Sequence, residues 1–418
     1  MKYDVLVVGA GAAGLLAAGT AASRGMRVLL LEKNDRPGRK LMITGKGRCN
    51  VTNACSLLND LLDNVPGNPR FLYSAFSRFM PADMIDLIEN EGVPLKIERG
   101  NRVFPVSDKA ADIVDALVRF VKRNGVRLLT GVRVRSVEIE GGAVAGVKDA
   151  DGRLYEAKNV IVATGGMSYP LTGSTGDGYR FAEQAGHTVT PLRPSLVPLE
   201  LDAPSWRRAQ GLTLKNCAIR VEEICSCREV YSDFGELLFT HFGVSGPVIL
   251  SASAHLRDIA PGKYTLYIDL KPALSEEKLD ARLVREFTSQ PNKTLGNVLP
   301  ALLPHSVIPV ITAAAGADPA RKVNQIPREE RRGLVYAMKN LSAPIAGTRS
   351  IEEAVVTAGG VSVKEIDPRT MESRLCRGLY FAGEVIDVDA YTGGFNLQIA
   401  FSTGAAAAYG AAAKEEKS

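Results

Sequence analysis

A glycine-rich turn near the start of the chain constrains the fold most. The apolar run Tyr3–Val8 is typical of a strand inside a parallel sheet, and the Ala- and Leu-rich run Gly11–Arg24 predicts a helix. Between them, Gly9, Gly11 and Gly14 follow the spacing Gly-x-Gly-x-x-Gly. The first glycine permits a tight turn, the second lets the backbone approach a phosphate, and the third lets the helix pack close to the strand. The sequence therefore predicts a βαβ unit that binds a dinucleotide.

The second strand ends in a carboxylate. Arg27–Leu31 is predicted to be this strand, and Glu32 follows it directly. A carboxylate at this place accepts hydrogen bonds from ribose hydroxyls, which FAD and NAD both offer, and it repels a 2′-phosphate. NADP is therefore disfavoured as the resident dinucleotide. The predicted contacts from this opening segment are Gly9, Gly11, Ala12, Ala13, Gly14, Glu32 and Lys33.

Three later motifs favour FAD over NAD. The strand Asn159–Ala163 ends in Thr-Gly-Gly, the apolar run Gly378–Ala382 leads into Gly-Glu, and Tyr391–Asn396 precedes a final Ala-rich helix. In flavoproteins such a carboxylate holds a ribityl hydroxyl, and the N-terminus of such a helix stabilises negative charge on the reduced flavin. The predicted FAD contacts here are Thr164, Gly165, Gly166, Gly383, Glu384, Gly393, Gly394, Phe395, Asn396 and Leu397.

Length and composition indicate a multidomain protein of the cytoplasm. The chain has 418 residues, 45% hydrophobic and 23% charged, which is ordinary for a soluble protein of two or three domains. Its formal charge of +5 permits an anionic partner such as RNA, and its six cysteines form no dense framework. The apolar start is broken by glycines, and no long uncharged apolar run follows. We therefore expect no signal peptide and no membrane span.

The order of patterns predicts an α/β fold whose cofactor domain is built from both chain ends. We expect the FAD-binding domain at 1–191 and 350–418, a β-rich insertion at 192–272 and 342–349, and a helical subdomain at 273–341. Prolines at 191, 194 and 198 punctuate the first boundary. The Gly- and Lys/Arg-rich stretch 36–53 is predicted to be a long loop, and therefore functional.

Several of these segments resemble the BaiN/RdsA-type flavoproteins, formerly labelled NAD(FAD)-utilising dehydrogenases. The resemblance runs along nearly the whole chain and rests on Gly38–Asn53 (GRKLMITGKGRCNVTN), Phe239–Pro247 (FTHFGVSGP), Thr357–Val361 and Phe381–Ala400. The family often has Ser in place of Thr44 and Trp in place of Phe242.

The resemblance implies a two-dinucleotide-binding-domains flavoprotein fold, a Rossmann-like FAD-binding domain with an inserted β-barrel-like and helical module. It also implies bound FAD and, in some members, reduction by NAD(P)H. Family activities include reduction of a uridine in large-subunit ribosomal RNA, reduction of a bile-acid enone, and oxidation of aminoacetone. The cofactor is therefore better determined than the substrate.

The basic glycine-rich stretch is expected to contact FAD, although a solvated basic loop is the plainer interpretation. Its cations and glycines suit the phosphates and the ribityl chain. The predicted contacts from this stretch, with one strand residue added, are Arg39, Lys40, Thr44, Gly45, Gly47, Arg48, Cys49, Asn50 and Val134.

Three residues are candidates for catalysis. Cys49 could donate a proton opposite the hydride, but a buried packing thiol is the commoner role of a free cysteine. His241 could deliver a proton, and anchoring a turn is an equally good interpretation. Tyr391 could contact the flavin or the substrate, or form an aromatic wall.

The sequence does not favour a metal site or a second dinucleotide domain. Cys217, Cys225 and Cys227 are only three cysteines, without the paired spacing and nearby histidine that structural zinc usually requires. No second Gly-x-Gly-x-x-Gly motif follows the first. NAD(P)H is therefore predicted to dock transiently as the reductant.

The leading functional hypothesis is transfer of a hydride from NAD(P)H through FAD to an activated C=C bond, with a ribosomal uridine as the preferred substrate. Basic groups of the insertion could contact RNA phosphates, although on helices they are more often a solvated face. Two alternative reactions are reduction of a small enone such as a steroid and oxidation of a small amine. A third alternative is a flavin-containing binding protein without turnover. The sequence does not predict the oligomeric state. The basic candidates are Arg207, Arg208, Arg321, Lys322, Arg328, Arg331 and Arg332.

Overall fold

A computed structural model describes residues 2–415. The chain divides into two compact units: the first combines the residues up to Ser195 with those from Ile351 onward, and the second is Leu196–Ser350. The strands are β1 (Tyr3–Val8), β2 (Val28–Leu31), β3 (Thr52–Asn53), β4 (Leu95–Glu98), β5 (Arg102–Pro105), β6 (Arg127–Leu129), β7 (Val134–Glu140), β8 (Ala143–Asp149), β9 (Leu154–Val162), β10 (Arg193–Ser195), β11 (Leu199–Leu201), β12 (Thr213–Glu223), β13 (Arg228–Phe239), β14 (Gly243–Ser245), β15 (Tyr264–Asp269), β16 (Leu341–Thr348), β17 (Val356–Ala358) and β18 (Leu379–Phe381). The α-helices are α1 (Ala12–Ser23), α2 (Arg39–Gly47), α3 (Leu58–Leu62), α4 (Pro69–Arg78), α5 (Pro81–Asn90), α6 (Ala110–Arg123), α7 (Asp177–Gln184), α8 (Pro247–Ser253), α9 (Glu276–Ser289), α10 (Leu295–Val298), α11 (Ile308–Ala314), α12 (Arg328–Lys339) and α13 (Phe395–Glu415).

The main sheet of the first unit contains strands from both ends of the chain. Its order is β6-β2-β1-β9-β8-β7, and β18 pairs with β9. β1 runs parallel to β2 and β9, and β18 runs parallel to β9 with Leu379 opposite Val160. β7 and β8 form an antiparallel extension that pairs with the first half of β9. The carboxyl ends of β1, β9 and β18 therefore lie side by side, where open parallel sheets bind their ligands.

The first and last long helices pack closely because their facing residues are small. The run Ala405–Ala408 of α13 is completely buried. A β-carbon added to Gly404 would lie 2.5 Å from the carbonyl oxygen of Ala13 in α1, so the two helix backbones nearly touch. Within the described residues neither α13 nor any other helix is long and apolar enough to span a membrane.

The second unit is a closed barrel with helices. Six antiparallel strands follow the order β11-β14-β13-β12-β15-β16, and β11 pairs with β16 to close the barrel. The alternation of buried Cys217, Ile219 and Val221 along β12 gives the period of two that a half-buried strand requires. Leucines of α9, such as Leu279 and Leu283, belong to the same hydrophobic core.

The prediction of a long loop at 36–53 is wrong, because α2 occupies its middle. Arg39–Ile43 contains good helix formers, and the helical geometry breaks only at Thr44, Gly45 and Lys46. Gly45 and Lys46 have φ angles of 57° and 60°, which turn the chain sharply. Two further features were not predicted from the sequence: the small sheet β3-β5-β4, and α8 inside the predicted β-rich segment.

Replacement of Gly9 by Ala is expected to destabilise the first unit strongly. Gly9 has a φ of +100°, and an added β-carbon would lie 2.5 Å from the carbonyl oxygen of Ala163. Gly25→Ala is the matched control, because Gly25 has a φ of +81° but no atom near the added carbon. We expect Gly9→Ala to cost at least about 3 kcal/mol and Gly25→Ala about 1 kcal/mol, measured by urea unfolding followed by circular dichroism. Equal costs for the two variants would contradict this explanation.

Candidate cofactor site

The glycine turn after β1 leaves room for a ligand on one side. A side chain on Gly14 would meet the backbone of Gly9, so the helix can approach the turn only because residue 14 is glycine. A β-carbon on Gly11 would meet no atom within 4 Å, and α1 starts at this residue without a side-chain cap. Ala12 and Ala13 form the first turn of the helix. The first amides of α1 are therefore arranged to donate to an anion.

Glu32 ties this turn to the end of β2. One carboxylate oxygen accepts a hydrogen bond from the backbone N–H of Ala10 at 2.8 Å. The other accepts from the backbone N–H and the side-chain amide of Asn34 at 2.8 and 2.7 Å. Glu32 is only 7% exposed. The neighbouring Lys33 donates to the carboxylate of Asp177 in α7 at 2.6 Å. Glu32 therefore holds the local backbone, and Lys33 ties the end of β2 to α7.

Glu384 is the centre of a polar cluster that joins four parts of the chain. Its Oε2 pairs with the ammonium group of Lys40 at 2.7 Å. Its Oε1 accepts from the hydroxyl of Ser168 at 3.0 Å and from the backbone N–H of Thr357 at 2.9 Å. Lys40 also donates to Ser168 at 2.6 Å. The carboxylate is thereby fixed in orientation, with its charge balanced by one cation.

Thr357 is a site residue that the sequence reasoning did not single out. Its hydroxyl oxygen accepts from the backbone N–H groups of Met167 and Ser168 at 2.8 and 3.1 Å. A β-carbon on Gly166 would lie 2.6 Å from that hydroxyl, which shows how tightly the crossover after β9 packs against β17. The available signal was its place in the segment 357–361, which supported the family resemblance but suggested no role.

Two predicted contact residues carry buried polar atoms without a partner among the described residues. These atoms are Oδ1 of Asn50 and Oγ1 of Thr164. An orphaned buried acceptor or hydroxyl is uncommon in native proteins and calls for an explanation. A bound polar ligand at this end of the sheet would supply the missing partners.

The turn before α13 is held by two asparagines. The side-chain oxygen of Asn396 accepts from the backbone N–H of Ala390 at 2.9 Å, and its amide donates to the carbonyl of Tyr391 at 3.2 Å. The amide of Asn53 donates to the carbonyl of Gly393 at 3.1 Å. The end of the basic glycine-rich stretch and the start of the last helix are therefore neighbours.

Two of the three arginines of the basic stretch, Arg39 and Arg48, are engaged by protein groups. Arg48 forms ion pairs with Glu98 at 2.8 Å and Asp108 at 3.2 Å, and its guanidinium lies 4.0 Å from the centre of the Phe104 ring. Arg39 donates to the side chain of Asn34 at 3.3 Å. The charge of Arg48 is therefore compensated by two carboxylates of the protein. A phosphate contact was expected for this residue, and these ion pairs do not favour it.

The three candidates for catalysis lie in different environments. Cys49 is completely buried in the core of the first unit, and burial raises the pKa of its thiol to about 12. This environment favours the packing role. Tyr391 is half-buried in the same unit, and its backbone N–H donates to the carbonyl of Asn64 at 3.0 Å. His241 belongs to the second unit, where it is exposed at the turn between β13 and β14.

The remaining predicted contacts lie in turns or at the ends of elements of the first unit. The break in α2 contains two of them and the last residue of α2 is a third. The crossover after β9 contains one with a φ of 74°, and one begins β7. The others follow β18 or surround the start of α13. These residues are Thr44, Gly45, Gly47, Gly165, Val134, Gly383, Gly394, Phe395 and Leu397.

The three cysteines of the insertion do not form a cluster. Cys217 is buried inside the barrel, whereas Cys225 and Cys227 are exposed at the tip of the β12–β13 hairpin. Over residues 2–415 no group of three His, Cys, Asp or Glu side chains is arranged to hold a metal ion.

Comparison with known proteins agrees with this geometry. A family model described as HI0933-like protein Rossmann domain matches residues 3–410. The chain belongs to this family. A ribosomal RNA dihydrouridine synthase of Escherichia coli is 34% identical over 403 residues, 96% of each chain. A 3-dehydro-bile acid delta(4,6)-reductase of Clostridium scindens is 31% identical over 405 residues, 95% of this chain and 96% of the relative.

Solved structures share the fold. A flavocytochrome c3 fumarate reductase superposes with a TM-score of 0.54 at 17% identity, covering 99% of this chain and 78% of the other. A 3-ketosteroid delta1-dehydrogenase of Sterolibacterium denitrificans superposes with a TM-score of 0.54 at 15% identity, covering 99% of this chain and all of the other. Family and fold make the chain an FAD-dependent oxidoreductase with a Rossmann-like FAD-binding domain, as the sequence predicts.

The cysteine environments predict a clear order of thiol reactivity. Only thiolates react readily, and burial keeps the pKa of Cys49 at about 12 and that of Cys217 at about 11. An aromatic disulfide reagent at about pH 8 should therefore modify the exposed Cys225 and Cys227 first and the three buried thiols, Cys49, Cys217 and Cys376, only after unfolding. A variant with both exposed cysteines replaced by Ser should lose the fast phase. Rapid modification of Cys49 in the folded protein would contradict its assignment as a packing residue.

Proposed function

We propose that the first unit holds FAD along the carboxyl ends of β1, β9 and β18. Three observations support the fit: the open side of Gly11, the uncapped first turn of α1, and the buried unpartnered oxygens of Asn50 and Thr164. We assign the glycine turn to the pyrophosphate, Glu32 to the ribose, Glu384 to the ribityl chain, and the start of α13 to the flavin ring.

In this proposal the protein groups orient the cofactor rather than react with it. Glu32 retains acceptor capacity beyond its three hydrogen bonds, because a carboxylate offers about four lone-pair sites. Glu384 can accept from a hydroxyl because Lys40, Ser168 and Thr357 fix the orientation of its carboxylate and leave acceptor capacity on it. When bound, FAD supplies hydride transfer from NAD(P)H to an electrophilic carbon.

We infer that the reaction is the reduction of an activated C=C bond, and that the best candidate substrate is a uridine of large-subunit ribosomal RNA. The observation that carries this choice is the full-length relationship to a ribosomal RNA dihydrouridine synthase. One NAD(P)H and one proton convert uridine to dihydrouridine and NAD(P)⁺. Such a substrate would place the protein in the cytoplasm.

The proton must come from a group other than a core thiol in this proposal. Burial raises the pKa of the Cys49 thiol to about 12, so the thiol carries a proton. Its complete burial nevertheless prevents contact with a substrate. Tyr391 is half-buried beside the start of α13, and its phenol is the donor that we favour within the first unit. Tyr391→Phe should lower the rate of substrate reduction without changing the rate of flavin reduction by NAD(P)H.

The function is tested by two successive half-reactions without oxygen. NADH or NADPH is added to the purified flavoprotein, and the bleaching of the flavin absorbance is followed. Ribosomal RNA that lacks dihydrouridine is then added, and its nucleosides are analysed by mass spectrometry. We expect reoxidation of the flavin and formation of dihydrouridine. A flavin that neither nucleotide reduces, or reduced flavin that RNA leaves unchanged, would refute the proposal.

Glu384→Gln is expected to weaken FAD binding. The substituted amide keeps the size of the side chain but loses the charge that pairs with Lys40. We expect the dissociation constant for FAD to rise about tenfold, measured by quenching of flavin fluorescence on the cofactor-free protein. Asp4→Asn is the control, because it removes an ion pair with Arg27 at the start of β1 without approaching the site. Equal effects of the two variants would argue against a cofactor role for Glu384.

Reduction of a small enone is the second candidate, favoured by the relationship to a bile-acid reductase. The two substrates differ in their response to salt. The Michaelis constant for RNA should rise steeply with salt concentration because counterions compete for phosphate contacts, whereas that for an uncharged steroid should not. Hydrogen peroxide formation with a small amine would instead indicate an oxidase, and no turnover with any of these would indicate a binding protein.

A further inference from the structure

A stripe of arginine and tyrosine runs along the exposed face of α12 in the second unit. Arg328, Arg332 and Tyr336 are spaced four residues apart, so their side chains follow one face of the helix. Both arginines are exposed, and Tyr336 is 61% exposed. The opposite face is buried in the core through residues such as Leu334 and Met338. The exposed face of α12 therefore presents two guanidinium groups and one aromatic ring in a row.

The two arginines of this stripe lie within electrostatic reach of Asp280 but form no ion pair with it, unlike their neighbour Arg331. Among the described residues no carboxylate forms an ion pair with Arg328 or Arg332. By contrast, Arg331 makes two hydrogen bonds to Asp280, at 2.7 and 3.2 Å, and Arg321 pairs with Glu330 at 2.5 Å. These two arginines, which the sequence also offers as RNA contacts, therefore serve the fold.

The stripe continues onto the outer face of the barrel. Tyr267 of β15 is paired with Arg220 of β12, and the guanidinium lies 4.0 Å from the centre of the tyrosine ring. Arg220 is held there by Glu222 at 2.7 Å and by the side chain of Asn340, the residue after α12, at 3.1 Å. The nearby hydroxyl of Tyr336 contributes to a raised pKa of Tyr267, after burial and Glu222. Two flat side chains are thus fixed next to the exposed tyrosine.

We propose that Arg328, Arg332, Tyr336, Tyr267 and Arg220 form a binding surface for single-stranded RNA. The guanidinium groups of Arg328 and Arg332, which form no ion pair within the described residues, suit phosphates, and the exposed ring of Tyr336 suits an unstacked base, which a duplex does not offer. Arg220, held by Glu222 and stacked on Tyr267, adds a fixed flat edge to this surface. The surface deepens the proposed function and rests on it, since it gives that function a way to hold its RNA substrate.

Another basic pair of this unit is a weaker candidate and serves as the comparison. Arg207 and Arg208 are exposed and form no ion pair within the described part of the chain. The aromatic residue beside them, Trp206, is only 5% exposed and cannot stack on a base. The pair therefore offers charge without a stacking surface.

The first test removes charge. Binding of a fluorescein-labelled, single-stranded, uridine-rich RNA to the FAD-loaded protein is measured by anisotropy over a range of salt concentrations. In the double variant Arg328→Ala with Arg332→Ala, the slope of log affinity against log salt should become shallower by about 1.4, since each single-strand phosphate contact contributes about 0.7. The matched double variant Arg207→Ala with Arg208→Ala should leave the slope unchanged. A shallower slope in the second variant and not in the first would overturn the proposal.

The second test removes the ring and keeps the charge. Tyr336→Ala should weaken binding of the same RNA about tenfold at an unchanged salt slope, because one stacked base is lost. Tyr336→Phe keeps the ring and should bind like the parent protein. The same strand annealed into a duplex should bind more weakly and should not respond to Tyr336→Ala. Parent-like binding of single-stranded RNA by Tyr336→Ala would overturn the stacking role.

The two proposals fail in different experiments. If the parent protein leaves ribosomal uridine unreduced but binds RNA through the stripe, the proposed function is refuted and the surface stands. If the parent protein forms dihydrouridine and both stripe variants keep its Michaelis constant for RNA, the surface is refuted and the function stands. Turnover of a small enone, if present, should be equal in all variants.

Discussion

The close packing of α1 on α13 is the contact on which the first unit depends. The helices come from opposite ends of the chain, and only a glycine at 404 lets α13 approach the backbone at Ala13. Small side chains bury little area each, but a close backbone approach gains dispersion contacts along the interface. This contact places the start of α13 near the end of β3, where the side chain of Asn53 reaches the carbonyl of Gly393. The two ends of the chain thus meet in one compact unit.

The Glu384 cluster shows how a site gains precision from residues that need not touch the ligand. Lys40 lies on a short helix, Ser168 on a crossover and Thr357 on a separate strand, yet all three bond to one carboxylate or to each other. A half-buried carboxylate without such partners would be costly to keep ionised. The same contacts fix the Thr-Gly-Gly crossover against β17. Within the basic glycine-rich stretch, Lys40 pairs with Glu384, while Arg48 is committed to Glu98 and Asp108.

The second unit divides its arginines into two groups with different physical roles. Arg321 and Arg331 are paired with carboxylates and secure the helices, whereas Arg328 and Arg332 keep their charge for solvent or a ligand. The barrel contributes Tyr267 and Arg220 on its outer face, because alternate residues of a barrel strand point away from the core. Charge and exposed rings on one surface are what distinguish the stripe on α12 from the basic pair at Arg207.

Local patterns were enough to predict the βαβ opening and the FAD-binding fold, and the resemblance of several motifs was enough to predict the family. Glycine spacing and apolar runs are dictated by backbone sterics and by burial, which act over short stretches of chain. The helix inside 36–53 was missed because glycines and cations there suggested a loop, although Arg39–Ile43 are good helix formers. The sequence did not predict which residues become partners. It did not show that Lys40 pairs with Glu384, that the core encloses Cys49, or that Glu98 and Asp108 compensate the charge of Arg48. These facts depend on which distant segments come together, and only tertiary packing decides that.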